Sequence, residues 1–350
     1  MTYLDLGITL FKIILTLFIV LTAVAYLTYA ERRISSFIQD RLGPNRVGPF
    51  GLLQPLADGI KFIFKEDIIP ITTNKALYLA APAIALVTGL IALAVIPIGY
   101  GFHTTFFGIL DKPVYVDLHI ADVNVGLLYI LSVSSVSVYA VVLAGWSSSS
   151  KYSLLGSLRS AAQLISYELA LGISIVGVIA IAGSPRLKDI IEAQERMWFI
   201  IPQFVGFLVF LVSSFAETNR LPFDMPEAEP ELVGGFHTEY ASMKFAMFFM
   251  AEYTHMIVAS CLVTSLFLGG WYPLPWGGWF GIDIERYWFL PPVVFIGKVA
   301  FILFLFMWVR WTLPRFRYDQ VMGLGWKVLL PIAVLNLVIT SAALVLMGWT

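Results

Sequence analysis

Long apolar stretches alternate with short polar ones along the whole chain, and this alternation predicts its elements before anything else is counted. Eight apolar runs, at residues 6–29, 77–99, 123–145, 160–182, 198–216, 245–269, 292–312 and 327–347, come close to or exceed the roughly 20 residues that a helix needs to cross a ~30 Å hydrocarbon core. The expected fold is all-α, with residues 1–350 forming a single integral membrane domain of eight transmembrane helices. The polar segment 31–76 holds a different pattern. Within 52–65 the polar residues Gln54, Asp58, Lys61 and Lys65 recur at helical spacing, whereas Leu52, Leu53, Leu56, Ile60, Ile63 and Phe64 fall on the opposite face. That periodicity predicts an amphipathic helix. At 1.5 Å per residue it is only about 21 Å long, so it is expected to lie in the membrane interface rather than cross.

Composition turns this pattern into a class. The chain is 59% hydrophobic and 13% charged, against roughly 25% charged in soluble proteins, which excludes a water-soluble globule. A net charge of −1 offers no footprint for nucleic acid. Cys261 is the single cysteine, and His103, His119, His237 and His255 lack metal-ligand spacing, so no cofactor is expected on this chain and hard redox chemistry must reside elsewhere. The first run passes directly into Glu31, Arg32 and Arg33 without a small-residue cleavage site and reads as a retained helix. Most of the 22 Lys and Arg fall in the first, third, fifth and seventh connecting segments and their flanks. Positive loops remain cytoplasmic, so both termini are expected on the outer side, of a bacterial inner membrane or, as the alternative, of an organelle inner membrane. Lys12 and Lys298 lie near that outer surface, within snorkelling reach.

Against so few charges, acids within the apolar runs stand out, because a carboxylate at the bilayer centre costs roughly 2.5–3.5 kcal/mol even on insertion scales. Glu168 and Glu252 are the two; counted from Arg159 and Lys244, they lie about 13 and 12 Å in from the cytoplasmic side. Glu31 and Glu217 sit at the cytoplasmic ends of their runs, and the connecting segment 216–244 adds Asp224, Glu227, Glu229, Glu231 and Glu239. Together they read as a ladder of acids suited to relaying protons; the plainer reading makes Glu168 and Glu252 hydrogen-bonded pins between helices. The third run carries no acid, so a relay must use the first, fourth, fifth and sixth. Pro222, Pro226 and Pro230 forbid one continuous helix in the acidic loop. Arg32, Arg159, Arg220 and Arg310 mark the cytoplasmic boundary as counter-charges or topology signals, and His255 stands one turn from Glu252, placed to hydrogen-bond it.

Four segments carry a family resemblance: RLGPNRVGPFGLLQPLADGIKFIFKED at 41–67, GWSSSSKYSLLGSLRSAAQLISYE at 145–168, AETNRLPFDMPEAEPEL at 216–232 and PRFRYDQVM at 314–322. In this order they resemble the H subunit of the proton-pumping NADH-quinone oxidoreductases, respiratory complex I, whose mitochondrial relative is NADH dehydrogenase subunit 1. The likeness runs from about Glu31 to Lys327. It implies a membrane-arm translocase subunit, not catalytic alone, that frames the entry portal for ubiquinone or menaquinone and couples quinone reduction to proton translocation. Carried over, Arg32, Asp58, Lys61, Arg220, Tyr253 and Arg310 belong to the quinone portal and channel. Glu31, Glu168, Glu217, Glu227, Glu229, Glu231 and Glu252 belong to the proton relay. FMN and iron–sulfur clusters are implied on partner subunits. The implied partners are the quinone-site peripheral subunits, neighbouring membrane-arm subunits, quinone and lipid. Pro230 departs from the family, whose members more often continue a helix there. Two other readings stay open on the residues alone: an anchor subunit of a hydrogenase, formate or ferredoxin-linked complex, and an independent proton-coupled transporter, which the lack of an internal repeat disfavours.

Overall fold

A computed structural model describes residues 3–104, 114–225, 233–275 and 287–348; Glu227, Glu229 and Glu231 lie outside them. Helix α1 runs over Tyr3–Ile38. Its length of about 54 Å carries it past the apolar run and places Glu31, Arg32 and Arg33 on the same rigid rod. The chain then turns through Pro49–Gly51, where Gly51 has φ 80° and a Cβ would collide with the Pro44 carbonyl oxygen, so only glycine fits. Tyr29 and Arg33 donate to the Phe50 carbonyl at 2.7 and 2.9 Å and tie this turn back to α1.

Helix α2 is Gln54–Phe64, opened by Pro55 in its first turn. All six apolar residues assigned to one face of it from the sequence, from Leu52 to Phe64, are exposed on this chain. Ser242 donates to the carbonyls of Phe62 and Lys65 at 2.9 and 3.0 Å, capping the far end of α2. The remaining helices are α3 (Lys75–Ala92), α4 (Gly126–Ser147), α5 (Lys151–Ala182), α6 (Leu187–Glu192), α7 (Phe204–Glu217), α8 (Ser242–Phe267), α9 (Leu290–Thr312), α10 (Tyr318–Gly323) and α11 (Leu330–Leu346). A π-helical segment, Leu324–Leu329, joins the last two. A small antiparallel hairpin, β1 (Phe102–Thr104) with β2 (Val114–Val116), accompanies them.

Among the described residues, seven helices are long and apolar enough to cross a membrane. The expected fifth span, 198–216, is helical only from Phe204 and has 14 residues. Pro202 explains the late start, since it lacks an N–H and disfavours helical backbone in the residue before it. Pro97 likewise stops the expected second span at Ala92, with a 3₁₀ turn to Val95. The expected fourth span departs in the other direction, starting at Lys151 rather than 160. Its extra turns bury Ser153, Ser157 and Ser160 rather than apolar residues, which a search for hydrophobic runs passes over. Gly145 of α4 lets these turns approach, because a Cβ there would collide with Ser157 Oγ.

Helix α8 forms the centre, with 72% of its apolar span buried against 11% for α1 and 17% for the final helix. Lys298 of α9 turns to the carbonyls that follow α8. It donates to the carbonyls of Leu268 and Gly270 at 2.5 and 3.0 Å and to that of Tyr272, and lies 4.0 Å from the Trp198 ring. An ammonium there complements the negative end of the α8 dipole. Lys298→Met, which keeps the stem and removes the charge, is expected to cost about 1.5–3 kcal/mol, the range for hydrogen bonds to charged groups. A lowered thermal midpoint of the detergent-solubilised complex checks it.

Candidate functional site

Helices α1, α8 and α9 and the segment after α7 converge on one buried carboxylate. Glu31 and Arg220 are 5% and 3% exposed, far below what unpaired charges tolerate. Arg220 Nη1 donates to both Glu31 oxygens at 3.4 and 3.3 Å, Arg310 Nη1 donates to Glu31 Oε1, and the Tyr253 hydroxyl donates to Oε2 at 2.5 Å. The Arg220 guanidinium lies 4.3 Å from the Tyr253 ring centre, a cation–π arrangement. Its Nη2 stands 3.9 Å from Glu252. Burial opposes the charge on Arg220, but Glu31, Tyr253 and Glu252 outweigh it and hold its pKa above the ordinary arginine value. Two carboxylates and two guanidiniums thus balance.

Arg220 is held in place by a folded loop rather than by a helix. Gln163 of α5 donates to the carbonyls of Ala216 and Phe223, both at 2.8 Å. From the other side, the Phe316 N–H reaches the Pro222 carbonyl at 3.2 Å and Arg315 pairs with Asp224 at 2.8 Å. Residues 219–225, which include Pro222, are not helical; Pro226 and Pro230 lie outside the described residues.

A cavity of about 410 Å³ opens against this cluster between α1, α2, α8 and α9. Its walls are largely apolar or soft, with Leu21, Val24, Phe62, Phe245, Phe249 and Met250, and its polar end is Glu31, Tyr253 and Arg310. Arg32 and Asp58 pair at 2.7 Å across its α1–α2 rim, where Gln54 also donates to Asp58 at 3.0 Å. Lys61 is exposed and does not line it.

Beyond Arg220 the polar line enters the helix bundle. Glu252 and Glu217 share a cavity of about 40 Å³ with Ser137 and His255. Glu217 also borders a second cavity of about 10 Å³ with Ser134 and His255. Glu168 accepts a hydrogen bond from Ser135. The structure therefore gathers Glu31, Arg220, Arg310, Tyr253 and Glu252 into one cluster, sets Arg32 and Asp58 beside the cavity, and places Glu217 and Glu168 further along the same line. Helix α4, which contributes no acid, supplies serines beside both. Its signal is present in the sequence as Ser132, Ser134, Ser135 and Ser137 recurring within an apolar helix. Among the described residues, no group of three or more His, Cys, Asp or Glu is disposed to hold a metal ion.

The chain has close relatives among known proteins. The family described as NADH dehydrogenase matches residues 11–341. One of the H subunits of NADH-quinone oxidoreductase from Geobacter metallireducens, numbered 1, is 53% identical over 344 residues, covering 98% of each chain. The corresponding H subunit of Leptospira biflexa is 54% identical over 327 residues, covering 91% of this chain and 90% of its own. That of Rhodospirillum rubrum is 50% identical over 327 residues, covering 93% and 90%. With half its residues shared over nearly its whole length, the chain belongs to the NADH dehydrogenase family as a membrane-embedded H subunit of NADH-quinone oxidoreductase.

Proposed function

We propose that the cavity between α1, α2, α8 and α9 is the entry portal and part of the chamber for quinone, and that the acids beyond it couple quinone reduction to proton translocation. The observation that carries this reading is the juxtaposition of an apolar-walled cavity of about 410 Å³ with a buried, charge-balanced cluster on Glu31 at its inner end. Phe and Met walls suit a flexible isoprenoid tail, and the polar end suits a headgroup. The exposed apolar face of α2 supports placing that helix in the interface plane, where its Arg32–Asp58 rim faces incoming quinone. Short α7 serves, with the seven longer helices, as the eighth crossing. Both termini face the outer side of a bacterial inner membrane, and the 31–76 and 216–244 segments meet the quinone-site subunits on the cytoplasmic side. FMN and iron–sulfur clusters stay on those partners.

Reducing a quinone to quinol takes up two electrons, from the partner subunits, and two protons. Any charge that builds up at the cavity end is felt first by Glu31, Tyr253 and Arg310. Arg220 touches both Glu31 and Glu252, so it transmits the change inward. At 3.9 Å and an effective dielectric near 20, a pair of unit charges interacts by about 4 kcal/mol, which makes the protonation of Glu252 responsive to how Arg220 is shared. Glu217 and Glu168 extend that response into the bundle.

Gly59 provides a test that leaves the charges alone. It lines the cavity, and a Cβ on it meets nothing within 4 Å. Gly59→Trp is expected to fill the passage and raise the quinone KM more than it lowers kcat, whereas Gly59→Ala, favoured in a helix by about 1 kcal/mol, should keep wild-type kinetics. Equal quinone kinetics in Gly59→Trp and wild-type complex would remove the portal from this cavity.

A further inference from the structure

The line of acids is interrupted between Glu252 and Glu217, and what separates them is space. The cavity they share is about 40 Å³, and the one on the far side of Glu217 is about 10 Å³. A water needs roughly 10–15 Å³ and two to four polar partners. The larger cavity therefore admits more than one water, and its lining supplies Ser137, Glu217, Glu252 and His255.

His255 is the unusual member. Together with Glu217 it borders both cavities. Its Nε2 is buried and has no hydrogen-bond partner among the described residues. Sequence position suggests a bond to Glu252, one turn away; the structure leaves Nε2 without one. Buried polar atoms are almost always satisfied, and an imidazole nitrogen can donate to or accept from a water. The unfilled volume that His255 borders is of water size and has Ser137, Glu217 and Glu252 among its otherwise largely apolar lining.

We infer that His255 is a positioning residue whose Nε2 anchors a water bridging Glu252 and Glu217. This inference rests on the proton-coupling role proposed above. In one transfer, Glu252 gives its proton to the water while a proton of the water passes to Glu217. One O–H bond breaks and one forms at each end, the water is regenerated, and His255 ends unchanged. The site is distinct from the quinone chamber and depends on a residue type that an acid ladder does not call for.

The test uses the intact complex in two ways. A map at a resolution that shows ordered waters is expected to show one within hydrogen-bond distance of His255 Nε2; a dry Nε2, or one bonded directly to protein, overturns the inference. In membrane vesicles, His255→Leu, which removes the anchor, is expected to lower quinone-linked proton translocation about a hundredfold, the low end of the range for lost proton-transfer assistance. His255→Gln, which retains a hydrogen-bonding group, should restore most of it and show water at the same place. Wild-type translocation in His255→Leu, with Glu217→Gln and Glu252→Gln inactive, overturns the water anchor and leaves the relay standing. Wild-type translocation in all three overturns the relay itself. Should His255→Leu fail to assemble, His255→Gln decides: translocation lost in an assembled complex, or a glutamine with no water beside it, contradicts the inference.

Discussion

Arg220→Met is expected to be among the most damaging single substitutions in this chain. Arg220 is 3% exposed and touches both Glu31 and Glu252. Removing its charge leaves Glu31 with Arg310 and takes from Glu252 its guanidinium neighbour, and breaking a buried pair from one side typically costs about 3–5 kcal/mol. The methionine fills the volume but replaces neither the bond to Glu31 nor the contact with the Tyr253 ring. A loss of assembled complex, and of quinone-linked NADH oxidation in what remains, is the expected outcome. Arg220→Lys keeps the charge, yet a single ammonium lacks the planar fork that spans both acids, so it should recover stability more than activity. The double change Arg220→Met with Glu252→Gln restores charge balance and should recover much of the lost thermal stability while leaving coupling broken. That split between stability and coupling separates a cluster that only holds helices together from one that also transmits.

The second large effect is expected at Glu217 and Glu168. Neither forms an ion pair among the described residues; Glu168 accepts a hydrogen bond from Ser135 of α4, and Glu217 shares a small cavity with Ser134 of the same helix. Glutamine preserves shape and hydrogen bonding but cannot gain or lose a proton at neutral pH. If these residues were only pins between helices, Glu217→Gln and Glu168→Gln would be nearly silent. As members of a relay, each should lower quinone-linked turnover and the resulting gradient by tenfold or more, about 1.4 kcal/mol in the limiting barrier, with the amount of chain in the membrane unchanged. Ser134→Ala and Ser135→Ala should have smaller effects in the same direction, because water can replace a hydroxyl.

Much of this arrangement is legible along the chain because it is local. The period of 52–65 places six apolar residues on one face, and all six are exposed. Acids inside apolar runs mark Glu168 and Glu252 directly. The cluster on Glu31 is not legible from spacing, since its partners lie 189, 222 and 279 residues away and only the packing of α1, α8 and α9 brings them together. Helix α4 escapes notice for a related reason: hydroxyls raise no alarm in an apolar run, although Ser134 shares a cavity with Glu217 and Ser135 donates to Glu168. The start of α5 is hidden by the same residue type, serines buried against a neighbouring element instead of exposed to water. The partners of Lys298 are hidden by separation too, since the carbonyls after α8 that receive it lie 30 and 28 residues away.

One line of groups, on this reading, joins the quinone cavity to the acids within the bundle. Its most direct test is simultaneous measurement of NADH:quinone turnover and proton-gradient formation in vesicles bearing the complex with Glu252→Gln or Glu168→Gln. Both quantities are expected to fall together in each variant while assembly is retained. Wild-type turnover with a wild-type gradient in both variants would contradict the connection.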